Sequence, residues 1–151
     1  MTASKAGGLR LVVRRVIAAS PERLFEAWTT SSQVQAWWGP RDVRCASAEI
    51  DARVGGRYRI ANALPDGRVV VIAGEFLAID RPSELVYTWH IEPGEAAPER
   101  VTVRFEARGA ETEVVVIHEQ IADPRKRDEH EAGWSGCLDG LVAHVSGDAR
   151  S

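Results

Sequence analysis

From Val43 to Glu119 the chain repeats one pattern: short runs rich in β-branched and aromatic residues, alternating apolar with polar, separated by compact turn signals. Period-two alternation sends successive side chains to opposite faces of a strand. Val101, Val103 and Phe105 therefore share one face, with Arg100, Thr102, Arg104 and Glu106 on the other. A dry face backed by a wet one is the signature of an antiparallel sheet covered on one side. Gly55-Gly56 marks a tight turn or bulge, and Pro65-Asp66-Gly67 a hairpin turn whose glycine tolerates positive φ. The pattern predicts strands near 43–53, 56–63, 68–79, 84–91, 99–107 and 111–119, with loops at 80–83 and 92–94.

The flanks differ in period. Leu9 to Ala18 reads as a further strand through Leu9, Leu11, Val13 and Ile17, with Arg15 interrupting that face. Ser20-Pro21-Glu22 supplies an N-cap, a proline at the first helical position and an early carboxylate, ahead of Leu24, Phe25, Ala27 and Trp28. A second short helix is expected after Thr30 or Ser31, with Val34 and Trp37 on one side and Gly39-Pro40 as its stop. Asp123-Pro124 opens a helix of about twenty residues reaching Val145. It gathers Trp134, Cys137, Leu138, Leu141, Val142 and Val145 on one face. Gly133, Gly136 and Gly140 form a separate stripe, each costing up to ~1 kcal/mol relative to alanine. They either let a strand approach closely or keep space open. The order β, two short α, six β, long α is an α+β layer arrangement. No βαβ alternation or glycine-rich phosphate loop occurs, which excludes a doubly wound nucleotide-binding fold.

With 151 residues, 44% hydrophobic and 27% charged, the chain suits one ordered domain. A single domain over 9–146 is expected, with flexible ends at 1–8 and 147–151. A net charge of −3 argues against nucleic acid or anionic lipid as a partner. Met1 to Gly8 has no apolar segment after it, so no signal peptide is expected. The longest apolar run, Val69 to Ala73, is far below the ~18 residues of a membrane span. Cys45 and Cys137 form no CxxC pair; a reduced, cytoplasmic protein is the simplest reading, and a disulfide between them stays open.

Six segments carry a family resemblance in the expected order. They are Ala19-Ser20-Pro21 with Leu24-Phe25-Glu26-Ala27-Trp28, then Trp37-Trp38-Gly39-Pro40, then Asp51-Ala52-Arg53-Val54-Gly55-Gly56. Gly74-Glu75-Phe76, Leu85-Val86-Tyr87-Thr88-Trp89 and His130-Glu131-Ala132-Gly133-Trp134 with Leu138 and Leu141 follow. The chain resembles the START-like superfamily, within the heat-shock-protein-90 ATPase activator homologue group. The resemblance implies a helix-grip fold: a curved antiparallel sheet wrapped around the C-terminal helix, with the two short helices closing one end. It implies an apolar or aromatic small molecule held between sheet and helix, without cofactor. Other members imply two alternatives: a cyclase or aromatase, or a chaperone-associated, stress-related module. The eukaryotic co-chaperone resembles this chain only in its C-terminal domain, and no room is expected here for its N-terminal chaperone-binding domain.

The candidate chemistry is sparse. His118 shares the parity of Thr112, Val114 and Val116, so it belongs to the inward face, as a satisfied buried imidazole or as a ligand contact. His130 and His144 are fourteen residues apart, about 21 Å along a helix, and cannot share one ion. His90 faces away from Trp89's side of its strand, and no metal site is expected. Glu49 and Asp51 share a strand face and are expected to pair with Arg53, Arg57 or Arg59. Ser20 and Ser135 lack a nucleophile-elbow context, so covalent catalysis is not expected. Acid–base candidates are His118, Tyr58 and Tyr87. Candidate ligand contacts are Trp38 at the end of the second short helix, with Tyr58, Tyr87, Trp89 and Phe105 on strands. His118, Trp134, Cys137 and Leu141 complete the set. Adjacent Trp37 and Trp38 cannot share a face: Trp37 is expected to anchor the short helix, leaving Trp38 for the cavity mouth, the sheet edge or a partner. Exposed strand edges leave a homodimer open.

Overall fold

The expected order of elements is realised in the computed structural model, which describes residues 8–39, 42–92 and 98–146. Strand β1 (Leu9–Ile17) is followed by α1 (Pro21–Thr29) and α2 (Ser31–Trp37). Six strands follow: β2 (Arg44–Ile50), β3 (Arg57–Ala63), β4 (Val69–Asp80), β5 (Glu84–Glu92), β6 (Glu99–Arg108) and β7 (Glu111–Ile121). Helix α3 (Pro124–Ser146) ends the described chain. The seven strands form one antiparallel sheet in the order β1-β7-β6-β5-β4-β3-β2. The chain starts at one edge, α1 and α2 carry it to the other, and successive hairpins walk it back until β7 lies beside β1. The expected terminal segments fall outside the described residues apart from Gly8, as do Pro40 and the Pro93-Gly94 loop.

Local chemistry explains the boundaries. Ser20 Oγ accepts from the Arg23 N–H at 3.1 Å with Pro21 opening α1. Asp123 does the same for α3, accepting from the Lys126 N–H at 2.9 Å. Gly39, at φ 128°, is required where α2 turns into β2, because a Cβ there would sit 2.4 Å from the Val43 carbonyl oxygen. The sheet is curved, with irregular pairing between Leu9 and Leu11, Cys45 and Ser47, and Phe76 and Ala78. Before the last of these, Gly74 lets β4 close on β5: a Cβ would lie 1.9 Å from the Thr88 carbonyl oxygen and 2.7 Å from the Tyr58 ring.

Helix α3 packs its face of Trp134, Cys137, Leu138, Leu141 and Val145 into the core, with Val142 partly buried beside them. Arg15, which interrupts the apolar parity of β1, reaches across to α3: Nη1 meets Asp139 Oδ1 at 2.6 Å and Nη2 the Ser135 carbonyl at 3.4 Å. The glycine stripe of α3 divides in two. A Cβ at Gly140 would meet the Trp37 carbonyl oxygen at 2.4 Å, so the close approach is to the end of α2 rather than to a strand. A Cβ at Gly133 would meet nothing within 4 Å. Asp51 pairs with Arg53 at 2.9 Å as expected, but inside the turn, because β2 ends at Ile50 and Asp51 does not share a strand face with Glu49; Arg59, opposite Glu49, pairs with Glu92 at 3.5 Å. No helix of the described residues is long and apolar enough to cross a membrane.

Candidate functional site

Both indoles of the Trp37-Trp38 pair are buried. Trp37 Nε1 donates to the Ala27 carbonyl at 2.9 Å and its ring packs on Trp28 at 4.9 Å, fastening α2 to α1. Trp38 Nε1 donates to Asn62 Oδ1 at 3.0 Å, and Asn62 Nδ2 donates on to the Val70 carbonyl at 3.2 Å. Trp38 thereby becomes a wall shared by two internal spaces.

The larger space, about 190 Å³, opens beside Gly133 between α3 and the β3–β5 half of the sheet. Trp38, Trp89, Trp134, Ile72, Leu64 and Val70 supply apolar walls. Asn62, Glu129, His130 and Cys137 supply its polar points and thiol. Both cysteines are free thiols, and burial pushes that of Cys137 up to about 12. The smaller space, about 20 Å³, holds no more than a water and is bounded by Trp28, Trp37, Tyr58, Phe76 and Tyr87 among others. Of the sequence-predicted contacts, Trp38, Trp89, Trp134 and Cys137 meet at the larger cavity, and Tyr58 and Tyr87 at the smaller. Phe105, His118 and Leu141 line neither: Phe105 packs edge-on against Phe25 and Trp28, and His118 and Leu141 are fully buried. The Tyr58 hydroxyl donates to the Thr88 carbonyl at 2.7 Å, and the Tyr87 oxygen accepts from Trp28 Nε1 at 3.2 Å. Burial raises the pKa of both phenols, which keeps them protonated near neutral pH.

A polar cluster runs from His130, on the cavity wall, to β6 and β7 behind it. Glu99 is the first residue of β6, His118 lies on β7, and His130 and Trp134 stand one turn apart on α3. Glu99 Oε1 is 2.7 Å from His118 Nε2 and 2.9 Å from His130 Nε2. The opposite side of the His118 ring, Nδ1, is 3.0 Å from Trp134 Nε1. An indole N–H only donates, so His118 Nδ1 must accept, and the ring proton of neutral His118 is on Nε2, facing Glu99. Burial lowers the His118 pKa, with the nearby His130 adding to the effect and the Glu99 hydrogen bond opposing it. Burial alone would raise Glu99, yet the hydrogen bonds from His118 and His130 hold it at about 2. The two imidazoles stack with centroids 4.4 Å apart and planes 15° from parallel. Trp89 lies edge-on to both rings, and its Nε1 is buried without a hydrogen-bond partner among the described residues.

Glu99, His118 and His130 bring three ligand atoms within 4.8 Å of one another, the number and kind that a divalent metal would take. Trp134 argues against that use. A metal on His118 Nε2 would move the ring proton to Nδ1, where it would point at the Trp134 N–H, a donor facing a donor. The donor set suits a proton better than an ion. Glu99 and His130 are the residues that sequence reasoning overlooks as partners, since spacing along the helix sets His130 only against His144. His144 instead contacts Gln33 Oε1 at 3.1 Å. The parity of Glu99 with Val101, Val103 and Phe105 was the available signal for an inward carboxylate.

Comparison with known proteins places the fold. The family model described as Activator of Hsp90 ATPase homolog 1-like protein matches residues 18–146. A crystal structure of a Chromobacterium violaceum protein is similar at 25% identity and a TM-score of 0.81, over 89% of this chain and 94% of that one. The AHSA1 protein of Silicibacter pomeroyi gives 22% identity and a TM-score of 0.84, over 93% of this chain and 99% of that one. A solution structure of an AHSA1-like protein from Aeromonas hydrophila gives 21% identity and 0.77, covering 95% and 96%. No curated protein sequence matches this chain.

Proposed function

Because the chain belongs to the family of Activator of Hsp90 ATPase homolog 1-like proteins, with the α+β helix-grip fold, we propose that it is a binding protein for a small apolar ring compound. The observation that carries this reading is the cavity of about 190 Å³ bounded by Trp38, Trp89 and Trp134. Gly133 keeps α3 clear of it at a helix-propensity cost of up to ~1 kcal/mol, and nothing lies within 4 Å of where its Cβ would be. An apolar void of about 150 Å³ accepts benzene, so this one suits a molecule of one or two rings. The indole faces contribute both apolar area and the quadrupoles that favour edge-on or offset rings.

Thermal unfolding of the purified protein against a panel of neutral one- and two-ring compounds tests the proposal. A ligand at one hundred times its Kd stabilises by about 2.7 kcal/mol, which raises Tm by several degrees in a domain of this size. The expected result is a concentration-dependent rise for some ring compounds, lost in Gly133→Phe, whose side chain fills the space. A panel that leaves Tm unmoved throughout would remove the reading.

A further inference from the structure

The cavity wall is apolar except at one end, and that end is chemically specific. His130 lines the cavity, its side chain is 12% exposed, and its Nε2 is committed to Glu99 at 2.9 Å. A carboxylate held at about 2 is an acceptor only, so His130 Nε2 carries the proton that faces it. Neutral His130 then has one remaining basic atom, Nδ1, which hydrogen-bonds to no described residue. Glu99 fixes this tautomer and the orientation of the ring, as a carboxylate does behind an acid–base histidine. His118 cannot serve in its place: it is fully buried, and Trp134 already occupies its Nδ1. The other charged group on the wall, Glu129, is negative, and no lysine or arginine lines the cavity among the described residues. Anionic ligands are therefore disfavoured. A cationic ligand would leave its hydration shell for an almost wholly apolar wall, which a neutral donor avoids.

We propose that His130 is the recognition group of this cavity, accepting the hydrogen bond of a neutral hydroxyl, so that the ligand class is phenol- or enol-type ring compounds. The proposal rests on the cavity binding reading and narrows it. In the bound state the hydroxyl O–H donates to His130 Nδ1, while Nε2–H stays on Glu99 and His118 remains locked by Trp134.

Calorimetric titration of the full chain at about pH 8 with phenol, whose hydroxyl ionises only at about pH 10, and with anisole separates the hydroxyl from the ring. One net hydrogen bond predicts a preference of about five- to tenfold for the phenol. In His130→Phe the preference falls to about one while the ether still binds, since Glu99 keeps its bond to His118. In the unmodified protein, nitrogen NMR should show the His130 Nδ1 resonance moving on addition of the phenol and not of the ether. Equal affinity for the two probes, a preference retained in His130→Phe, or a silent Nδ1 resonance would each overturn the hydroxyl assignment and leave the cavity reading standing. Failure of both probes to bind would overturn the two together.

Discussion

Replacing Glu99 with glutamine removes the charge from the centre of the His118–His130 cluster while keeping its volume and one acceptor oxygen. The magnitude follows from linkage. Glu99 falls from an ordinary 4.5 to about 2 in the folded protein, a difference of roughly 2.5 pH units, or about 3 kcal/mol at ~1.4 kcal/mol per unit. The sign follows from the depressed value: the contribution is complete above the unfolded value of 4.5 and is lost as pH falls through about 2. Near pH 3 roughly half remains, about 1.5 kcal/mol. His118 acts in the same direction, since its lowered pKa withdraws stability as pH falls below 6.5. Urea unfolding of the parent and Glu99→Gln at pH 7 and pH 3 therefore reads a gap that narrows on acidification. The gap should be about 3 kcal/mol at pH 7 and about half that at pH 3. A gap of the same size at both values would refute the claim that an ionised Glu99 holds the two histidines.

Two of the three glycines of α3, Gly133 and Gly140, should respond with opposite signs in the same unfolding assay. Gly133→Ala gains up to ~1 kcal/mol of helix propensity because its Cβ enters open space, whereas Gly140→Ala loses about 1–3 kcal/mol by meeting the Trp37 carbonyl at 2.4 Å. Trp134→Phe removes the donor to His118 Nδ1 and should lose about 1–3 kcal/mol. It should also make Tm rise with equimolar zinc, to which the parent is indifferent, because the freed Nδ1 can then carry the ring proton. Cys137, raised to about 12 and buried, should react with a thiol reagent at pH 8 only as fast as the protein opens, and at once in denaturant.

Much of this architecture is legible in the sequence because the punctuation is local. Ser20-Pro21 and Asp123-Pro124 begin helices by capping chemistry contained within a few residues, and both caps form. Period-two alternation puts Thr112, Val114, Val116 and His118 inward, and all four are buried. Pairing across elements is less legible. Glu99, His118 and His130 come from β6, β7 and α3, and only the antiparallel register that sets Val101 opposite His118 brings Glu99 next to it on the same face. Arg15 reads as a flaw in β1 until α3 supplies Asp139 at 2.6 Å. The glycine stripe is visible as a stripe, but whether a glycine admits a carbonyl, as at Gly140, or keeps a void, as at Gly133, depends on what lies opposite.

The central claim is that the space between α3 and the sheet is a ligand site rather than slack packing. Its most direct test is intermolecular NOE measurement on isotope-labelled protein with indole or toluene in excess. The account predicts cross-peaks from the ligand to the Trp38, Trp89 and Trp134 rings and to the Ile72 methyls, all at the cavity wall. Cross-peaks confined to exposed side chains such as Val16 or Val54, or none at saturating ligand, would contradict it.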